Sequence, residues 1–586
     1  MTDSAQEPGN NKTSASFEPY DARPWLKFYG EESQNDLDAL PYKSFGDMVR
    51  QASREHAQKP AFTTCLPTGT TGTLTFAEVD TLSDQFAAYL RYELGLEKGD
   101  RVAIQSPNCL TYPIFMFGAA KAGCVLVNIN PLYTVPEIDH ALNDSGAKVL
   151  LMIDMFADKL PQVVPKSQVQ TVVIHSVADF FPTVRRFIVR TVQKLKKMVP
   201  KCEVPATTIN EALELGAKHL AAGKSVDTIE VSQDDLLALQ YTGGTTGRSK
   251  GAMLTHGNLI SNIQQSYNNL QNSLPEERVA MTALPMYHIF ALGVSGIFFS
   301  LGGHNVLIPS PRPVANLKPA FEKYDIRFFS GVNTLFNGLL AEDWFREAPP
   351  RNLEITIGGG TAVQDATAER WKEVVGQPIY QAYGLTETSP GVTTNPLNGP
   401  VKMGSIGIPY ASTWCRIVDE GGNPMPVGEP GELVVKGPQV MKGYWNRPDA
   451  TDEAMDDGWF FTGDIAKMDE DGYFYIVDRK KDMVLVSGFN VYPNEVEDVI
   501  ARHPGVREVG VVGVPDDETG EAVRAYVVKA DESVTEDDIR DHCRQSLTSY
   551  KVPKQIVFRE EIPLTPVGKV LRKDLRAEAL KELGKA

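Results

Sequence analysis

Short apolar runs alternate with helical periodicities through the first half of the chain. Arg101–Gln105 (RVAIQ) reads as a strand, residues 112–122 as a helix and 124–129 as a second strand. Pro136 opens a helix that runs to about Asn143, and Val149–Ile153 gives a third strand. Strands this continuously apolar are covered on both faces, and the β-α-β-α-β order makes them parallel. The pattern predicts an α/β fold with a large N-terminal domain of parallel-rich sheets covered by helices. No repeat of solenoid period interrupts it.

After Asp478 the texture changes. A charged joint, RKKD at 479–482, leads into VLVSGFNVYPNEVE and then a compact set of short elements. Val496, Val499 and Ile500 mark a helix, 509–514 and 523–528 two strands, and Ile539, Cys543 and Leu547 one face of a helix with Thr535 as N-cap. Leu571, Leu575, Ala579 and Leu583 form a last stripe. Roughly 100 residues suffice for an independent α+β domain. The expected division is a polar tail and lead-in over 1–40, a large domain over 41–478, and a small mobile C-terminal domain over 479–586.

Two stretches bear on membranes. The longest apolar run, near 290–301, is too short to span a bilayer and is expected to be broken by Gly293 and Gly296. Residues 184–201, VRRFIVRTVQKLKKMVPK, hold seven basic residues and no acidic one, with Ile188, Val192, Leu195 and Val199 at spacings that predict one apolar face of an amphipathic helix. The net charge of -17 opposes bulk attraction to nucleic acid or anionic lipid, so this local cluster is the candidate contact with an anionic membrane surface. The first 18 residues lack the basic start and apolar core of a signal peptide, and the six cysteines show no paired or metal-binding spacing. A cytoplasmic location follows, peripheral on the inner face of the cytoplasmic membrane if the basic segment docks there.

Candidate chemistry centres on YTGGTTGRSKG at 241–251, directly after the apolar run 236–240. Glycines admit backbone N–H groups to an anion, hydroxyls donate hydrogen bonds, and Lys250 adds charge, so Thr242, Gly243, Gly244, Thr245, Thr246, Gly247 and Lys250 suit a phosphate cradle. The familiar G-x-x-x-x-G-K-[ST] spacing is absent. Gly247–Gly251 also reads G-x-S-x-G, but a nucleophile elbow needs a strand running straight into it, and glycines and threonines intervene. His140 and Asp144 read H-x-x-x-D, yet fall inside an amphipathic helix beside Ile138 and Leu142.

The loop resembles the signature of adenylate-forming ligases. YGLTET (383–388), FTGD (461–464) and PVGKVLRKDLR (566–576) agree with that superfamily in identity and order. From about Tyr42 onward the chain is most similar to bacterial long-chain fatty-acid CoA ligases of the fatty-acid degradation pathway, with residues 457–497 resembling their shared signature. LPMYHIFAL (284–292) and GVNTLFN (331–337) look like acyl-pocket segments.

The resemblance implies ATP-dependent activation of a fatty acid to acyl-CoA through an acyl-adenylate, with ATP and CoA as co-substrates and Mg²⁺ as cofactor. It assigns phosphate contact to Thr386, the metal to Glu387, the ribose hydroxyls to Asp464 and Arg479, and catalysis to Lys569. One or two carboxylates plus phosphate oxygens are what Mg²⁺ prefers. Tyr383 and Gly384 would lie against adenine near Gly358, Gly359 and Gly360. Gly331, Val332 and Phe336 are expected in the acyl pocket, with His288 either stacking near the acyl-adenylate or satisfying a core hydrogen bond. Lys481 would be a hinge that later turns the Ser487-Gly488 face toward CoA.

Alternatives remain open at this level: a ligase for medium-chain or aryl acids, an adenylating enzyme with a non-CoA acceptor, or a membrane-surface lipid-binding or transport component that uses nucleotide as a switch. The complete catalytic set, Lys569 included, favours an enzyme. The expected partners are fatty acid, ATP and CoA, with a second copy of the chain as a further candidate and nucleic acid excluded.

Overall fold

Four sheets carry the chain. The structure, a computed structural model, describes residues 16–242, 249–516, 518–565 and 568–584. The first sheet holds, in spatial order, Thr207–Thr208, Thr171–His175, Val149–Ile153, Arg101–Gln105, Val125–Asn128, Leu236–Thr242 and Lys250–Thr255, all parallel except the last pair. The second has nine strands, and its run Val279–Thr282, Phe328–Gly331, Ile355–Gly358, Ile379–Gly384 is parallel. Helices Thr111–Lys121 and Val135–Ser145 lie within a residue or two of their sequence positions. The former is buried at every position, as an all-round apolar helix must be. Its one ammonium, Lys121, is enclosed but meets the carboxylates of Asp80 and Asp84 and the Ser83 hydroxyl.

Two sequence expectations need adjustment. The basic segment is helical over Thr183–Leu195 only, so Val199 lies beyond the helix. Lys197 turns left-handed at φ 53°, and the N–H groups of Lys197 and Met198 close back on Lys194 and Gln193 in a Schellman-type stop, just before the helix-averse position preceding Pro200. Conversely, the glycines near 290–301 do not interrupt helix Ile289–Ser300, which is buried in the large domain. No described helix is long and apolar enough to cross a membrane.

A five-stranded antiparallel sheet follows: Trp414–Val418, Gly431–Lys436, Trp459–Met468, Met455–Asp456 and Phe474–Arg479. Residues 480–483 then lead to the fourth sheet, Phe489–Val491, Val484–Val486, Gly520–Lys529, Val506–Asp516 and Gln555–Arg559. One face of that sheet packs Val496, Ile500, Ile539 and Cys543 into a small core, and the other receives Leu575 and Ala579 of helix Arg572–Glu582. Thr535 caps its helix in a reciprocal box with Asp538. The result is a large N-terminal domain and a small C-terminal α+β domain facing each other across a cleft.

Candidate active site

The cleft encloses about 2100 Å³ and is lined from both domains. Its floor is the C-terminal edge of the parallel run in the second sheet, where Gly358 and Gln381 are paired neighbours and Gly359 and Tyr383 follow them. Open α/β sheets leave a crevice for ligands at such edges. Gly384 is forced: a Cβ there would sit 2.1 Å from the Pro390 carbonyl oxygen, because the chain folds back on itself around Thr386–Thr388.

Charged groups from three elements converge on this floor. The Tyr383 hydroxyl donates to Asp464 Oδ2 at 2.6 Å, and Arg479 Nε lies 3.3 Å from Asp464 Oδ1, since Asp464 and Arg479 are directly paired across adjacent strands. Burial and the Asp464 carboxylate push the Tyr383 hydroxyl well up, so it stays a donor. Glu387, largely enclosed, accepts from the Tyr444 hydroxyl at 2.7 Å, and Lys250 Nζ sits 4.2 Å over the Tyr444 ring. Lys250, Tyr444 and Glu387 thus form one chain of contacts.

Lys569 enters from the small domain. Gly568, at φ 81°, seats against Thr334, whose oxygen a Cβ would approach to 2.5 Å, and Thr565 bonds Lys569 through its hydroxyl and backbone. Desolvation and then Arg479 lower the Lys569 ammonium to about 8, with Lys481 adding to the fall and Asp464 and Glu387 opposing it. His288 is lowered to about 3 by burial and by Lys569, leaving a neutral ring whose Nδ1 accepts from the Phe290 N–H at the start of its helix, 3.4 Å away. It therefore serves as a helix cap on the cleft wall.

The fit for a divalent cation follows from the donors present. Glu387 offers a carboxylate with one oxygen held by Tyr444, and no described group of three or more His, Cys, Asp or Glu side chains forms a protein-only metal cage. One carboxylate beside a phosphate site matches Mg²⁺.

Some expected residues lie elsewhere. Gly243, Gly244, Thr245, Thr246 and Gly247 fall outside the described residues; Thr242 and Lys250 are paired at the loop's two feet. Lys250 starts a strand, which removes the strand-to-helix elbow. Phe336 is wholly buried, its ring within 2.9 Å of where a Gly331 Cβ would be and 4.9 Å from the Trp371 ring, and Val332 packs between Gly360 and Gly568. None of Gly331, Val332 and Phe336 lines the cleft, because the missing Gly331 side chain leaves room for the ring to turn into the core. The apolar wall consists instead of Ile263, Phe290, Gly293, Val294, Ile297 and Ile357. Lys481 occupies the turn between the domains, its ammonium lowered by burial. Ser487 and Gly488, both at positive φ, form an exposed two-residue hairpin turn away from the cleft.

His140 and Asp144, dismissed as a motif, brace the loop: His140 Nε2 bonds the Ser249 carbonyl at 2.8 Å, and Asp144 accepts from Tyr241 at 2.6 Å. Tyr444 was also missed. Its only local signal is the Gly443-Tyr444-Trp445 cluster, which says nothing of Glu387.

The chain matches the AMP-binding enzyme family over residues 49–445 and the AMP-binding enzyme C-terminal domain over 495–569. It belongs to the AMP-binding enzymes. It is 47% identical over 561 residues to the long-chain-fatty-acid–CoA ligase of Escherichia coli O6:H1, covering 95% of this chain and 98% of the relative, and 34% identical over 560 residues to that of Bacillus subtilis, with the same coverages. The structure of ATP-bound MatB from Rhodopseudomonas palustris superposes with a TM-score of 0.78 at 29% identity, covering 92% of this chain and 99% of that one.

Two outcomes follow from the site. Phe336→Ala should cost stability on the order of 3–5 kcal/mol, as a buried-ring deletion does, while the order of preference among acid substrates stays unchanged; a shifted preference would return Phe336 to the acyl wall. If ATP places anionic phosphate beside Lys569, as the family resemblance implies, the Lys569 pKa rises from about 8. Calorimetry at pH near 8 in buffers of different ionisation enthalpy should detect proton uptake on ATP binding, and Lys569→Met should abolish that uptake.

Proposed function

We propose that this protein activates long-chain fatty acids with ATP and transfers them to CoA. The convergence of Lys569, Arg479, Asp464 and Glu387 on a glycine-floored sheet edge, beside an apolar wall, carries the reading. A carboxylate resists thiol attack until its oxygen becomes part of a good leaving group. In the first half-reaction the carboxylate oxygen attacks the α-phosphorus of ATP and pyrophosphate departs, leaving an acyl-adenylate. In the second, the CoA sulfur attacks the acyl carbon, its proton is lost, and AMP departs.

Asp464 and Arg479 hold the ribose hydroxyls, Tyr383 lies against adenine, and Gly359 and Gly360 on the cleft floor admit the flat base, whereas Gly358 and Gly384 are glycine for close packing against Val363 and Pro390. The 242–250 loop, with Lys250 and Thr386, binds the phosphates. Lys569 places its ammonium where the carboxylate meets the α-phosphate and stabilises charge that exists only while that bond forms. Glu387 would hold Mg²⁺, which when bound neutralises the triphosphate. His288, neutral, borders the acyl group without competing as a cation. Lys481 is the hinge about which the small domain turns between half-reactions, and Ser487-Gly488 belongs to the face presented to CoA.

The acid itself partitions into membranes, and helix Thr183–Leu195 suits docking there. Arg190 pairs with Asp179, Arg186 bonds the Asp179 carbonyl and Gln193 bonds Ser176, which fastens one side to the body. The opposite side leaves Val184, Phe187 and Leu195 71%, 71% and 79% exposed, flanked by Lys194, Lys196 and Lys197. An apolar stripe with basic flanks fits an anionic bilayer surface.

A panel of acids read as AMP formation tests the activity. Each buried methylene is worth roughly 0.8 kcal/mol, so C12 to C18 acids should exceed octanoate in kcat/KM, and acetate or benzoate outperforming palmitate would defeat the long-chain reading. Phe187→Gln with Lys194, Lys196 and Lys197→Gln should weaken co-sedimentation with anionic liposomes, each lysine contributing about 1 kcal/mol at moderate salt. Turnover of a short soluble acid should be unaffected; unchanged sedimentation removes the helix from membrane docking.

A further inference from the structure

Asp478 and Arg479 are consecutive on the last strand of the large domain, so their side chains leave it on opposite sides. Arg479 turns to Asp464 and the nucleotide floor. Asp478 turns to the small domain and is fully enclosed there. Its Oδ2 accepts the Asn494 N–H at 2.8 Å, in the first turn of helix Pro493–Ala501, and its Oδ1 lies 3.2 Å from Arg572 Nη1.

Arg572 is itself anchored in the small domain. Nε and Nη2 reach the two carboxylate oxygens of Glu497 at 3.2 and 2.8 Å, Nη2 also bonds Asn494 Oδ1, and Asp482 stands 3.6 Å from Nη1. Glu497 in turn accepts the Val511 N–H from strand Val506–Asp516. A planar guanidinium with its donors shared among fixed acceptors is a rigid connector, which a lysine cannot reproduce. Arg572 lies three residues beyond Lys569, at the start of the C-terminal helix. A further inter-domain ion pair, Arg502 with Asp365 at 2.9 Å, is partly exposed and contributes little.

We propose that Arg572 is the positioning residue of the first half-reaction: by bridging Asp478 of the large domain to Glu497 and Asn494 of the small one, it locks the posture that places Lys569 in the cleft. Arg572 touches neither substrate nor nucleotide in this role. Rotation about Lys481 would carry Arg572, Glu497 and Asn494 away together and leave Asp478 behind, so the bridge belongs to one posture only. The inference rests on the two-step activity proposed above.

The full-length protein tests it with Asp478→Asn, Arg572→Lys and Arg572→Met, each measured in both halves: pyrophosphate release from ATP and palmitate, and palmitoyl-CoA formation from supplied palmitoyl-adenylate. Arg572→Met should lose about tenfold or more in the first half and less than about threefold in the second, Arg572→Lys should fall between, and Asp478→Asn should show the same split. Asp478→Asn combined with Arg572→Met should be no worse than Arg572→Met alone, as for two partners in one contact. Cysteines placed at Asp365 and Arg502 report posture independently of activity, and their disulfide should form more slowly in the Arg572→Met background. If Arg572→Met does not fold, Asp478→Asn decides alone, since it keeps Arg572 and Glu497 paired. Equal losses in both halves, or additive losses in the double variant, overturn the proposal. Failure of the wild type to release pyrophosphate with any acid would instead overturn the activity on which it rests.

Discussion

Everything in the cleft depends on keeping an ammonium charged while it is taken out of water beside other cations. Lys569 lies near Arg479 and Lys481, and both of them and its own desolvation favour the neutral amine. Asp464 and Glu387 offset this in part, and each is held by a tyrosine hydroxyl, Tyr383 for one and Tyr444 for the other. The tyrosines matter because a carboxylate that could rotate would not deliver its field to a fixed place. The glycine floor serves the same requirement by letting backbone approach where side chains would add only bulk.

The apolar wall obeys a different constraint. Helix Ile289–Ser300 is apolar on all sides and buried, so one edge can face an acyl chain while the rest packs against protein. His288 joins the two environments: as a neutral cap it satisfies the first turn of that helix, and its ring stands close to Lys569 without contributing a second positive charge.

Local signals were legible in the sequence. The β-α-β rhythm and the Thr535 cap depend on residues near one another along the chain, and the elements appear where those signals place them. Features decided by distant neighbours were not legible. Whether Phe336 faces a cavity or the core depends on Trp371 and on the space beside Gly331. The helix over 184–201 looked longer because Lys197 makes a left-handed stop without glycine. The bracing role of His140 and Asp144 has no local signal, since their partners at Ser249 and Tyr241 are about a hundred residues away along the chain. Tyr444 and Glu387 are far apart in sequence, and no periodicity could connect them.

The passage from third sheet to fourth is made once, through residues 480–483, and the chain does not return. Every strand of the first three sheets precedes it and every strand of the last follows it. Each part therefore contains its own complete set of sheet neighbours, and a break in this turn would sever no hydrogen-bonded strand pair. In genetic terms the turn is a seam: the gene can be divided or recombined there without leaving an open sheet edge that the intact chain had covered, and compatibility between two parental sequences would be judged only at the face the domains share.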